Sequence, residues 1–344
     1  MAVTLNDIAK LANVNKCTVS MTLRNHPNSR NLRKETREKI RKIAAELGYC
    51  SNENAISLRT GKVKMIALIT QDGDRNSKNL FLFNIPGIVR ASSNYGYGIK
   101  LFTDEDIEAT FRKLHADRIN FILSLSIDPE KRIRSAFLAE KMGLKLVFLF
   151  EEPQGKFPSI NVDNRAGGRT AIQFLVSLGH KKIGYISTGR QYLFQRERFR
   201  GFLEGMKEAD LSIAEELVLY GKEEIEPEIK RILTLPPEKR PSALFCSTDT
   251  LAVKTQHIAM ELDLTLPDDL SLIGFSNSLF CDYAAVPLTS IDENFDGKAL
   301  LGIRILLGEI PEKEFPPENI FLIPPELVER DSAKEWKEKN LQSL

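Results

Sequence analysis

The chain has 344 residues, 42% of them hydrophobic and 28% charged, with 48 Lys and Arg against 47 Asp and Glu. That composition belongs to an ordinary soluble globular protein able to bury a full core, and the length predicts roughly two to three domains. A membrane protein is excluded, because no apolar run approaches the ~18 residues that a spanning helix needs.

The near-neutral total conceals an asymmetry. Residues 1–62 hold twelve Lys and Arg and five acids, a surplus of seven, while the remainder carries a deficit of six. A basic head on an acidic body points to a polyanionic partner, the alternative being a solvated helix face. Four cysteines (Cys17, Cys50, Cys246, Cys281) lie far apart without CxxC or Cys/His spacing. Reduced thiols fit better than disulfides or zinc. The N-terminus lacks an apolar signal core, so the chain reads as cytoplasmic.

Residues 4–24, TLNDIAKLANVNKCTVSMTLR, predict two short amphipathic helices joined by a tight polar turn. Thr4 and Asp7 have capping-box spacing, and Leu5, Ile8, Ala9 and Leu11 recur at helical intervals. The turn 12–15 buries Val14 and offers Asn15 as the next N-cap. In the second helix Val19 and Leu23 face inward. Lys16, Cys17, Ser20 and Met21 face outward, where a recognition helix meets base edges in the major groove. A third helix, about Lys34 to Leu47, buries Ile40, Ile43, Ala44 and Leu47. The following ENAISLRTGK is too short and polar to be a stable helix alone, which suits a hinge that forms only against a partner or DNA.

From Lys64 short apolar runs alternate with amphipathic helices. The strand-like runs are 65–70, 98–102, 119–126, 145–150, 159–162, 182–187, 243–248 and 270–275. Helical stretches include 84–95, 105–114, 130–142, 165–178, 196–208 and 249–262. Continuous β-branched and leucine runs predict parallel strands covered on both faces. Such alternation makes one barrel or two doubly wound lobes. Two comparable blocks favour lobes, whose facing strand ends form a cleft, but periodicity alone does not choose.

These phrases, in order, resemble the lactose repressor and galactose repressor family of bacterial transcription regulators over essentially the whole chain. They are VTLNDIAKLANVNKCTVS, ETREKIRKIAAELGY, SLRTGK, INVDNRAGG, LGHKKIGYIS, RFRGF, STDTLAV, LPDDLSLIGF, PLTSIDEN and PPELVERDS. The resemblance implies an all-α helix-turn-helix headpiece (1–50) and a hinge helix with linker (51–62). It further implies an α/β core of two doubly wound lobes similar to periplasmic binding proteins. The lobes are placed at 63–160 with 293–322 and at 161–292 with 323–344, with crossovers near 160–163, 291–294 and 322–325. It also implies a homodimer that reads a near-palindromic double-stranded operator and answers to a small-molecule effector, carbohydrate or related, in the cleft.

Carried over residue by residue, the resemblance assigns Lys16, Cys17 and Met21 to base reading. Thr18 and Ser20 are assigned to phosphates, and Thr4 belongs to the same face. Met21 stands where relatives usually carry arginine; methionine touches a thymine methyl but cannot fork onto guanine, so a different operator is expected. Arg24 replaces a frequent asparagine and offers a phosphate contact. The loop 25–33 is some three residues longer than usual. Cys17 reads as a tolerated small side chain or, less readily, as a redox switch. Leu58 matches the leucine that paired hinge helices wedge into the minor groove, with dimer packing as the alternative. Asn52 and Ala55 match neighbouring hinge contacts, whereas Ile56 departs from the usual arginine or glutamine.

For the cleft, Arg198 is the leading effector residue, a planar fork of donors for hydroxyls or carboxylates; its alternative is an ion pair with a nearby acid. Thr248 and Asp249 sit at a strand-to-helix turn, where Asp249 is a ligand or only the N-cap of helix 250–262. Ser276 replaces the family's usual aspartate, which argues against an ordinary hexose held in the ordinary way. Phe150, Asn161 and Phe194 align approximately with cleft positions. Asp74 lies in a segment, 71–83, without the usual Asn-Pro-Phe-Phe. No GxxxxGK, GxSxG or HExxH occurs, and Tyr95-Gly96-Tyr97-Gly98 ends a helix instead of opening one. His26, His115, His180 and His257 share no context. The sequence therefore calls for no cofactor, no metal and no catalysis. Its rival readings are a plain small-molecule-binding protein and a regulator with a vestigial cleft controlled by a protein partner or by abundance.

Overall fold

A computed structural model describes residues 3–24, 26–49, 63–71, 75–221 and 224–337, the side chains of 75–84 excepted. Asn52, Ala55, Leu58 and Asp74 lie outside the described residues or side chains, as do Cys50 and Ile56. The chain divides into two units, Met1–Val63 and Lys64–Leu344.

In the first unit α1 (Leu5–Ala12), α2 (Lys16–Leu23) and α3 (Lys34–Glu46) enclose a small core of Ile8, Ala9, Ala12, Val19, Ile40 and Ala44. Val14, Leu23, Ile43 and Leu47 pack against it. Leu11, expected in the apolar stripe of α1, is 58% exposed. Residue 12, one turn beyond Ile8, lies on the seam between helices, and only a small side chain lets the backbones approach there; Leu11 falls on the flank. The extended loop contains a 3₁₀ turn, Pro27–Asn31.

The second unit is the expected α/β core, and the choice between barrel and lobes falls to two sheets. The first has the order β11-β5-β4-β3-β1-β2, with β1 (Met65–Thr70), β2 (Gly98–Thr103), β3 (Phe121–Ser124), β4 (Lys145–Phe148), β5 (Ser159–Val162) and β11 (Ile320–Ile323), and every pairing is parallel. The second has the order β12-β10-β9-β8-β6-β7. Its strands are β6 (Ile183–Ser187), β7 (Val218–Tyr220), β8 (Ala243–Cys246), β9 (Ser271–Ser276), β10 (Thr289–Asp292) and β12 (Glu326–Val328). Here β12 alone is antiparallel. The chain passes between sheets three times: after β5, after β10 and between β11 and β12.

Helices α4 (Arg75–Asn94), α5 (Ile107–Ala116), α6 (Pro129–Lys141) and α12 (Phe295–Leu307) belong to the first sheet. Helices α7 (Asn164–Ser177), α8 (Leu193–Glu208), α9 (Ile225–Leu233), α10 (Asp249–Glu261) and α11 (Phe280–Tyr283) belong to the second. The strands that sequence patterning did not expose are β7, β10, β11 and β12. Edge strand β12 is only partly buried and β10 is Thr-Ser-Ile-Asp, while β7 (Val-Leu-Tyr) and β11 (Ile-Phe-Leu-Ile) are apolar but only three and four residues long. α7 and α8 pack closely because Gly168 and Gly201 face each other's helix. A Cβ on Gly201 would strike the Arg165 carbonyl, and one on Gly168 the Arg198 carbonyl.

Candidate functional site

The headpiece builds its outward face from local hydrogen bonds. The Thr4 amide and hydroxyl both donate to the Asp7 carboxylate, at 2.9 and 2.7 Å, and these bonds hold the Asp7 pKa below its usual value. The turn runs through Asn13 in the left-handed region (φ 56°). Asn15 Oδ1 then accepts from the Thr18 amide (2.7 Å) and hydroxyl (2.9 Å), making Asn15 the N-cap of α2. Lys16 and Cys17 are exposed and Met21 is half-buried. Thr18 commits its one hydroxyl proton to Asn15, so it donates to the cap rather than outward. Ser20 Oγ accepts from Arg24 Nη2 (2.6 Å) and keeps its own proton, while Arg24 Nε donates to the Ser20 carbonyl (2.9 Å). Arg24 thus folds back over the end of α2.

In the core, the carboxyl ends of both sheets face one cleft of about 530 Å³. Phe150, Asn161, Phe194, Arg198, Thr248, Asp249 and Ser276 all line it. Seven positions scattered over 127 residues of sequence meet there because they lie at or just after the carboxyl ends of parallel strands or in the first two turns of the helix that follows one.

Their chemistry differs among them. Arg198, on α8, is 3% exposed and its guanidinium is fully engaged along one edge. Nε donates to Asn164 Oδ1 (2.8 Å), Nη1 to the Ser247 carbonyl (2.6 Å) and Nη2 to Glu293 Oε1 (2.7 Å). The ring of Phe275 covers one face at 3.6 Å. This is the ion-pair arrangement. Glu293 also accepts from Ser276 Oγ (2.7 Å) and from Lys298 Nζ (2.8 Å). Burial alone would raise the Glu293 pKa; Lys298 and Arg198 more than offset it and bring it to about 2. Ser276 sits at φ 115°, a region that L residues seldom adopt, with its hydroxyl turned onto Glu293.

Thr248, not Asp249, is the N-cap of α10: its hydroxyl oxygen accepts from the Leu251 amide. Asp249 is the first helical residue, and its carboxylate turns inward to the Ser278 amide (2.7 Å) and Ser290 hydroxyl (2.5 Å). Burial raises its pKa, those bonds opposing. Asn161 donates to the Glu151 carbonyl (2.9 Å), and Phe150 packs against the Lys298 ammonium (4.4 Å). Phe194 lies stacked with Tyr192, ring centroids 5.7 Å apart. Among the described residues no cluster of His, Cys, Asp and Glu is arranged to hold a metal, and no helix is long and apolar enough to cross a membrane.

Residues 4–52 match the family described as bacterial regulatory proteins, lacI family, and residues 172–333 match a periplasmic binding protein-like domain. The HTH-type transcriptional repressor PurR of Vibrio vulnificus (strain CMCP6) is 30% identical over 339 residues, covering 96% of this chain and 98% of that protein. The chain belongs to the lacI family. This lacI-family regulator is also 28% identical over 340 residues to the probable HTH-type transcriptional repressor ExuR of Bacillus subtilis (strain 168), with 96% and 98% coverage. Its fold is that of the lac repressor dimer bound to operator and the anti-inducer ONPF, with a TM-score of 0.71 at 20% identity over 97% of this chain and 100% of that one. The transcriptional regulator CelR–cellobiose complex gives 0.67 at 22% identity, covering 96% and 100%.

Sequence reasoning about this lacI-family protein passed over Glu293, Lys298 and Glu151. Glu293 and Lys298 are both buried, 4% and 0% exposed. An acid and a lysine five apart in the polar stretch Glu293–Lys298 look solvated; the one readable hint was that Lys298 opens a helix, α12, that is otherwise largely apolar. Glu151, at φ 62°, reaches from the β4–β5 loop to the amide of Leu193 (2.7 Å), the first residue of α8. A carboxylate at a helix N-terminus is favoured by the dipole, and here it comes from the other lobe.

Proposed function

We propose that this regulator is a repressor that binds operator DNA as a homodimer through its basic headpiece, and that a small metabolite in the inter-lobe cleft changes that binding. The observation that carries the reading is the convergence of seven expected ligand positions on a single cleft in a chain that also carries a lacI-type headpiece. The CelR structure with cellobiose and the lac repressor dimer on operator support it by likeness of fold. A ligand that bridges both sheets favours one lobe arrangement; the first lobes of two protomers then change the spacing of their headpieces, and residues 51–62 serve as the hinge between. By linkage, operator DNA alters ligand affinity by the same factor. The reading assigns the chain no catalytic step and places it with DNA in the cytoplasm.

Selection of duplexes from random DNA by the full-length protein at moderate salt tests this, with and without a panel of sugars and nucleosides. An enriched near-palindromic site whose affinity responds to one compound is expected. No preference over scrambled competitor, with or without metabolites, refutes the reading. One observation favours a second reading, control by abundance or a protein partner over a vestigial cleft: Arg198 and Ser276 are both committed to Glu293. Thermal shift against the same panel separates the two, since a vestigial cleft gives no shift with any compound.

A further inference from the structure

Arg198, Lys298, Arg196 and Lys254, around the cleft, each have a protein carboxylate as partner before any ligand arrives, with Arg198 and Lys298 sharing one. Glu293 lies on the crossover after β10 and is shared by a cation from each lobe, Arg198 of α8 and Lys298 of α12, at 2.7 and 2.8 Å. Phe194 and Phe275 flank the Arg198 guanidinium at 5.0 and 3.6 Å, and Phe150 and Phe295 flank the Lys298 ammonium at 4.4 Å each. Both cations are buried, 3% and 0% exposed, and both are held by Glu293. At the start of α8 the helix N-terminus takes Glu151 and Arg196 takes Glu152 Oε1 (2.6 Å). On α10 Lys254 pairs with Glu226 (2.6 Å).

We infer that Glu293 is a resident anion that sets the ligand class of the cleft, admitting an uncharged, donor-bearing ligand and excluding carboxylates and phosphates; this rests on the cleft being the effector site. A second anion entering the cleft loses its hydration and finds these cations, among the described residues, already paired, while Glu293 repels it at short range in a low-dielectric site. Displacing Glu293 instead would leave a buried carboxylate without partners, which costs more than the new pair returns. An independent observation gives the ligand's polarity. The side-chain oxygen of Gln71, at the carboxyl end of β1 and on the cleft wall, is buried with no hydrogen-bond partner. An orphan acceptor there calls for a hydroxyl or N–H from the ligand, and the stacked Tyr192 and Phe194 rings line the same cleft with an apolar face.

Calorimetric titration of the full-length protein with matched neutral and acidic compounds tests the inference: D-glucose and D-glucuronate, D-galactose and D-galacturonate, D-ribose and D-ribose 5-phosphate. The wild type is expected to bind no acidic member more tightly than its neutral partner. In Glu293→Gln the preference moves toward the acidic member by at least about tenfold. Glu293→Ala leaves two buried cations without a counter-ion, so sodium acetate raises its unfolding midpoint beyond sodium chloride of equal ionic strength, while the wild type shows no difference. Tighter wild-type binding of any acidic member overturns the inference, as does the absence of both the Gln shift and the acetate response. If Glu293→Ala does not fold, the wild-type pairs and Glu293→Gln still decide. A neutral compound that binds and alters DNA affinity while the variants show no anion response sinks this inference alone. An acetate-responsive variant whose wild type binds none of the panel leaves Glu293 as the resident anion and removes the effector reading.

Discussion

Replacing Arg198 with alanine separates a ligand arginine from a structural one. In the structure the side chain is 3% exposed and donates to Asn164, Ser247 and Glu293 at 2.8, 2.6 and 2.7 Å. Removing one partner of a buried ion pair typically costs about 3–5 kcal/mol, because the other charge stays buried. Glu293 retains Lys298 and Ser276 after the change, which sets the expectation at the lower end of that range, about 3 kcal/mol. Losing the stack on Phe275 and opening a cavity add to this rather than subtract. Urea unfolding of the full-length protein, followed through its one tryptophan, gives the readout. Trp336 packs against His180 in the second lobe, ring centroids 5.5 Å apart, so its fluorescence reports on the lobe that carries α8. A loss below about 1 kcal/mol, the size expected of an exposed pair, would show that the Glu293 contact does not lock Arg198. A double-mutant cycle with Glu293→Gln adds a second check, since groups in contact couple by about 0.5–3 kcal/mol.

Met21→Arg is expected to bring guanine into one position of the selected duplex, worth about 1–3 kcal/mol of discrimination; an unaltered selected sequence removes Met21 from the base-reading face. His180 is buried between the hydroxyls of Ser242 (2.9 Å) and Ser271 (3.0 Å), and burial lowers its pKa from 6.5 to about 4. The unfolded chain therefore takes up a proton that the folded ring refuses, so stability is held above pH 6.5 and lost as pH falls toward 4. His180→Gln should flatten that part of the stability profile measured through Trp336, and an unchanged slope would count against the assignment. Gly201→Ala drives a Cβ into the Arg165 backbone carbonyl. The expected cost is about 1–3 kcal/mol in urea unfolding, and a change within 0.5 kcal/mol, the ordinary surface value, would mean α7 and α8 separate freely.

Most of the headpiece was legible because its signals are local, Leu11 being the residue that the helical period misplaced. Thr4 with Asp7 and Asn15 with Thr18 are caps closed within three residues, and Ile8, Val19, Ile40 and Ala44 obey a helical period. The same holds for strands such as Met65–Thr70 and Ser159–Val162, whose boundaries coincide with their apolar runs. The cleft's position was legible too, since motif residues at strand ends collect wherever parallel sheets face one another. Their partners were not. Arg198 meets Glu293 across 95 positions and Ser247 across 49, and no periodicity encodes a contact of that span. Only the packing of two sheets through three crossovers decides which carboxylate reaches which cation. For the same reason Asp249 turned inward to Ser278 and Ser290 while Thr248 took the cap, and strands as short as β7 and β11 emerged only beside their neighbours. Sequence determines which faces each segment buries; tertiary structure determines which charges are buried together.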